Sequence, residues 1–164
     1  YASLSQNLTI NGTAKVAAAT WDIKFLNLTQ KSKSGYAAFP TSNALTASGT
    51  TISGNIGTLK APGDSLTYTF DIKNNGSISA KVNSVVLGGL SCTSATSSVA
   101  STVCNDLTYS IKYTDGKAIT KNDELASGAT KNVTLTLTKA NNTNLASEEV
   151  TVTANPTTIN YIQK

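Results

Sequence analysis

The segment from Pro62 to Ser77 constrains the fold more than any other. Pro62, Gly63 and Asp64 form a turn signature, and Leu66, Tyr68, Phe70 and Ile72 then alternate with Ser65, Thr67, Thr69 and Asp71. Asn74, Asn75 and Gly76 form a second turn signature at the far end. A period of two puts all four apolar groups on one face of an extended strand, whereas a helix would scatter them around its axis. A segment of this kind is stable only when that face is covered, so the chain must supply other strands of similar pattern.

It supplies them from end to end, and no segment sustains a helical period. Ala14, Val16 and Ala18 alternate, then Trp21, Ile23 and Phe25, after which Leu26 and Leu28 fall on the other parity and predict a bulge or a strand end near Leu26. Residues 30–53, punctuated by Gly35, Pro40 and Gly49, read as a long surface excursion with room for a short helix or an edge strand. Ile78, Ala80 and Val82 begin another strand, whose parity shifts at Val85 and Leu87 before Gly88 and Gly89. Leu107, Tyr109, Ile111 and Tyr113 alternate up to Asp115-Gly116, a hairpin signal leading to Ala118 and Ile119. Asp123 to Leu125 suits one turn of helix. Val133, Leu135 and Leu137, then Val150, Val152 and Ala154, then Ile159 and Tyr161 or Ile162 complete the set.

Some eight to ten short strands with few helix signals predict an all-β chain, an antiparallel jelly roll or β-sandwich. The expected core includes Trp21, Ile23, Phe25, Tyr68, Phe70, Ile72, Ile111 and Leu135. There is also an internal echo. Gly63 is followed at offsets five, seven and nine by Tyr68, Phe70 and Ile72, and Gly128 at the same offsets by Val133, Leu135 and Leu137. The echo reads either as a pseudo-repeat with equivalent strands in opposite sheets or as two ordinary strands.

Composition narrows the chemistry. The chain of 164 residues has no His, Arg or Met, and its 13 lysines are scattered singly against nine acids. Without His there is no Ser-His-Asp triad and no His-based zinc site, and no cofactor or metal is expected. Asp64, Asp106, Asp115 and Asp123 fall next to turns and read as caps rather than as a catalytic carboxylate pair. Lone lysines without Arg do not suit nucleic acid, but they do blunt exposed sheet edges. No apolar run is long enough to span a membrane. Cys92 and Cys104 enclose a Ser/Thr-rich loop and read as a disulfide. Together with a start at Tyr1, this predicts an exported protein with a cleaved signal peptide, located outside the cell.

Other motifs are less specific. Six sequons place candidate glycosylation at Asn7, Asn11, Asn27, Asn75, Asn132 and Asn141, about as many as this composition produces by chance. Threonine ladders such as Thr134, Thr136 and Thr138 belong on the outer face of any Thr-rich sheet. An internal Lys-Asn cross-link needs a buried Lys beside an Asn and an acid, and no spacing singles one out.

The first ten residues form a strand with no obvious partner. Leu4, Leu8 and Ile10 share one face with Gln6, while Ser3, Ser5, Asn7 and Thr9 take the other. This segment runs directly into Gly12, Thr13 and Ala14, and Trp21-Asp22-Ile23-Lys24-Phe25 follows, then Ala61-Pro62-Gly63-Asp64-Ser65 leading through Tyr68 and Phe70 to Asn74-Asn75-Gly76-Ser77. The ensemble resembles the TasA/camelysin-like exported fibre proteins and the related archaeal bundling pilins.

That resemblance implies a jelly-roll subunit of an extracellular filament, a pilus or biofilm-matrix fibre. Residues 1–12 would be a donor strand inserted into the next subunit, with Leu4, Gln6, Leu8 and Ile10 facing the acceptor, and residues 13–164 a single domain. Partners would be neighbouring copies of the chain in a head-to-tail homopolymer, bundled laterally in some members. The protease activity described for camelysin-type relatives has no His to support it here. The rival expectation is a monomeric Ig-like or carbohydrate-binding module with Tyr36, Phe39, Tyr113 and Tyr161 as an aromatic platform.

Overall fold

The computed structural model describes residues 3–164; Tyr1 and Ala2, the start of the expected N-terminal strand, lie outside the described residues. In chain order the elements are β1 (Ile23–Ser34), β2 (Thr46–Ser48), β3 (Thr51–Ser53), β4 (Ser65–Asn74), β5 (Ala80–Val86) and β6 (Leu90–Thr93). Then come α1 (Ser97–Asn105), β7 (Leu107–Tyr113), β8 (Glu124–Leu125), β9 (Thr130–Lys139), β10 (Thr151–Ala154) and β11 (Thr158–Gln163). The chain is mostly β, and every pairing between named strands is antiparallel.

Two sheets bound the core. The larger has the order β1-β4-β9-β7 and the smaller β11-β5-β8. The inward faces of β4 and β9 contribute Tyr68, Phe70, Ile72, Val133 and Leu135, which meet Val82 and Leu125 of the smaller sheet together with Ile119. Burying such side chains contributes about 1.5–3 kcal/mol each. Phe70 carries an edge-on contact with Phe25, ring centres 5.3 Å apart. Ile23, Phe25 and Ile111 are half-buried around this cluster. Trp21, expected in the core, is 50% exposed, because it precedes the first strand instead of lying within it.

The parity switch after Phe25 is a bulge. The β1–β4 register shifts between Leu26 and Thr29 and again between Gln30 and Ser32. Asn27 takes up the slack at φ 58°, a left-handed conformation that Asn tolerates, with its amide donating to Asp71 Oδ2 at 2.8 Å. Strand β1 then continues to Ser34, and β2 and β3 form a small hairpin, so of the two alternatives the excursion over residues 30–53 carries strand and no helix.

The echoed strands β4 and β9 are neighbours in one sheet, not equivalents in opposite sheets. Tyr68 stands opposite Leu135 and Phe70 opposite Val133. Asp123 to Leu125 is no helical turn; Leu125 is buried in β8, paired with Ala80. The Asp115-Gly116 turn forms, with Gly116 N–H donating to Tyr113 C=O at 2.9 Å, but no strand follows and Ile119 turns into the core.

Strands β6 and β10 form a separate two-stranded ribbon. It continues the β5–β11 pair past a kink at Gly88-Gly89 and Asn155-Pro156. Cys92 and Cys104 are bridged, tying β6 to α1. The helix went unseen because nine residues rich in Ser and Thr have weak propensity, and the bridge and packing on β6 hold it. Among the described residues no helix is long and apolar enough to cross a membrane.

Candidate functional site

The site has two halves, a cleft between sheet edges and a free arm. Strands β1 and β11 are edge strands of the two sheets. Between them a cleft of about 230 Å³ opens onto the core. Ile23 and Phe25 form one wall, Ile159 and Tyr161 the other, Ile72 belongs to the floor, and Trp21 and Thr50 stand at the rim. On the β1 side Phe25 N–H is already taken by Gly49 C=O at 2.8 Å, from the β2–β3 turn. The outer edge of β11 has no strand beside it among the described residues, so its outward backbone groups form a template for one more strand.

Before the cleft the chain is held at one place. Ser77 N–H donates to Thr20 C=O at 3.1 Å and Asn75 N–H to Asp22 C=O at 2.7 Å. Thr20 N–H also donates to Ser77 Oγ at 2.9 Å, and Lys24 pairs with Asp22 at 3.3 Å. Gly76 sits under this clamp, where an added Cβ would lie 2.6 Å from Thr20 C=O.

N-terminal to the clamp, residues 3–19 form no strand and every one is exposed. Leu4 is 97% exposed, Leu8 91%, Ile10 97% and Val16 100%. The expected strand over Ala14, Val16 and Ala18 therefore has no partner among the described residues. Between Ser3 and Trp21 the sole charge is Lys15. Fully extended, the 17 residues reach about 55 Å. Residues 13–19 contain no Gly, Pro, Asn or Asp at which the arm could reverse before the clamp and enter its own cleft.

The aromatic platform is not assembled. Phe39 is turned onto Tyr68, ring centres 5.3 Å apart. Tyr113 donates its phenol to Asp123 at 2.7 Å, and Tyr161 lines the cleft. Burial, followed by the charge of Asp123, pushes the Tyr161 phenol up to about 12. Only Tyr36 stands widely exposed among the four.

The sequons divide between the arm and the domain. Asn7 and Asn11 are exposed on the arm, Asn141 is exposed just past β9, and the exposed Asn75 donates to Asp22 Oδ2 at 3.4 Å. Asn132 donates to Asp71 at 2.8 Å and to Phe70 C=O at 3.3 Å, and Asn27 to Asp71, so a glycan on either would displace existing bonds.

The acids act in the framework. Asp64 is buried, and its carboxylate accepts N–H bonds from Tyr36, Lys60 and Ala61 at 3.0, 2.9 and 3.0 Å. Burial pushes its carboxyl up, but these amides and the Lys139 charge outweigh it and hold the group below the usual carboxylate range. The buried Lys139 faces Asp106 at 3.8 Å, whose oxygens also accept from Asn142 and Asn144 at 3.0 Å each. No group of three or more metal-ligating side chains occurs among the described residues. No protein-family model, curated protein or solved structure matches the chain.

Proposed function

We propose that the protein is a β-sandwich subunit of jelly-roll type in an extracellular filament, polymerising by donation of its N-terminal arm to the next copy. The reading includes the resemblance to TasA/camelysin-like fibre proteins and archaeal bundling pilins. The observation that carries it is a complementarity: Leu4, Leu8 and Ile10 project into solvent on an arm whose sole charged side chain is Lys15, while a core-lined cleft stands open beside the edge of β11, which is unpaired among the described residues.

A strand added at that edge would satisfy β11 backbone groups while its alternate side chains fill the cleft. Each buried aliphatic contributes about 1.5–3 kcal/mol before ordering costs. Because arm and cleft are different surfaces, the contact is head-to-tail and propagates without closing. The Cys92–Cys104 bridge suits an oxidising compartment outside the cell.

Deletion of residues 1–12 tests the proposal. The shortened chain is expected to keep its β circular dichroism and cooperative melt, since residues 3–12 are exposed and belong to no strand, and to stay monomeric where the full chain forms filaments in electron micrographs. Filaments from the shortened chain would sink the reading.

A further inference from the structure

The arm has two alternating runs and the open edge has two strands. Leu4, Gln6, Leu8 and Ile10 form the first run, Ala14, Val16 and Ala18 the second, and Asn11-Gly12 separates them. On the edge, β10 and β11 follow one another with Asn155-Pro156-Thr157 between them. Among the described residues β10 pairs with β6 alone, so its outer edge has no strand beside it there either.

The kink between the two edge strands is rigid. Asn155 N–H donates to Gly89 C=O at 2.9 Å, and its side chain bonds Gly88 C=O and Ser91 Oγ, each at 3.1 Å. A Cβ on Gly88 would lie 2.3 Å from Pro156 C=O. Pro156 has no N–H to offer a ladder. A strand following this edge must bend at the same point, and Gly12 is the arm residue free to do so.

We propose that the arm docks as two strands, residues 6–10 on β11 and residues 14–17 on β10 of the same neighbour, with Asn11-Gly12 over the Asn155–Thr157 kink. This rests on the donor-strand reading above. The polarity is antiparallel to β10 and β11, because only that direction brings the large side chains of the first run to the cleft and leaves the small ones for β10.

The register then matches apolar with apolar on both sides of the kink: Leu8 opposite Tyr161, Ile10 opposite Ile159, Ala14 opposite Ala154 and Val16 opposite Val152. Cross-strand partners share a face, and Val152 is paired with Cys92, which is bridged to α1. Val16 thereby extends an apolar face that the disulfide-held helix supports. The disulfide lobe becomes a second acceptor surface rather than a peripheral ornament.

Paired cysteines test this in the full chain, with the native bridge closed and a short bis-maleimide as cross-linker. Lys15→Cys with Thr153→Cys probes the second run, and Thr9→Cys with Asn160→Cys the first; all four positions are exposed. The Lys15/Thr153 variant is expected to give a covalent ladder of multimers on denaturing gels, and absence of that ladder overturns the two-strand inference. The Thr9/Asn160 variant separates the two levels. Its ladder in that case leaves the donor-strand reading standing with the first run alone, whereas failure of both variants overturns both.

Discussion

Asn74 and Lys139 occupy equivalent places at opposite ends of the β4–β9 ladder. Gly63 N–H donates to Lys139 C=O at 3.0 Å and Lys139 N–H to Asp64 C=O at 2.9 Å; Gly128 N–H donates to Asn74 C=O at 2.7 Å and Asn74 N–H to Ala129 C=O at 3.0 Å. The echo of turn and alternation is thus a local two-fold within one pair of strands. Both side chains are buried, but they are satisfied differently. The Asn74 amide donates to Ile78 and Leu125 carbonyls at 2.9 and 3.0 Å and accepts from Gly76 N–H at 3.1 Å, whereas Lys139 faces the carboxylate of Asp106.

Removing either group leaves buried partners unmet. Asn74→Ala strands two carbonyls and one amide and is expected to cost about 2–4 kcal/mol. Lys139→Ala leaves carboxylates without their cation and is expected to cost about 3 kcal/mol, with Lys139→Met milder because its stem packing survives. Urea unfolding midpoints of the four proteins check the order.

Acid sensitivity follows from Asp64 and Asp123. Burial pushes the Asp123 carboxyl up, but Thr120 N–H, the Tyr113 and Thr120 hydroxyls and the Lys131 charge outweigh it, so both carboxyls lie below their ordinary value. The unfolded chain binds protons first, so their stabilisation is fully present above about pH 4 and is lost as pH falls through the lower folded values. Asp64→Asn is expected to be less stable at pH 7 and to show a shallower loss between about pH 4 and pH 2. Chemical denaturation across that range reads the difference, and equal slopes would refute it.

At high pH the sign reverses. Burial first, then the hydrogen bond and charge of Asp123, raise the Tyr113 phenol, and Tyr161 is pushed up to about 12. A raised folded value means that the neutral phenols stabilise the domain fully below about pH 10, and that this is lost as pH rises toward 12. Tyr113→Phe is expected to flatten part of that loss. Thermal melts between pH 9 and pH 12, with tyrosinate absorbance followed in parallel, test it.

Trp21 offers an optical readout of assembly. It is the single Trp, half-exposed at the rim of the cleft. Strand insertion is expected to shift its emission to the blue and to lower acrylamide quenching in filaments relative to the residue 1–12 deletion. Unchanged quenching would place the contact elsewhere.

Reduction of Cys92–Cys104 is expected to loosen α1, β6 and β10 while the two main sheets hold, since among the described residues the ribbon pairs with neither sheet. In the chain-entropy picture, closing so short a loop contributes about 3 kcal/mol. Hydrogen exchange with and without reductant should show protection lost over residues 90–105 and 151–154 and retained over β4 and β9.

The sequence determined what depends on neighbours along the chain. Alternation fixed β4, β7 and β9 and their buried faces, the parity switch located the Asn27 bulge, and two cysteines foretold one bridge. These signals are legible because a side chain two residues away shares a face, and because turn residues impose backbone angles locally.

The tertiary structure decided partners. Nothing along the chain says that β4 lies beside β9, that Ile119 enters the core, that a Ser/Thr-rich loop winds into α1, or that Leu125 pairs with Ala80; those outcomes depend on which groups meet across long separations. It also placed Trp21 at a rim rather than in the core. The arm shows the division most clearly: its alternation could be read from Leu4, Leu8 and Ile10, but that their face finds no partner within the described chain, while an edge beside a cleft stays open, depends on where every other strand has gone.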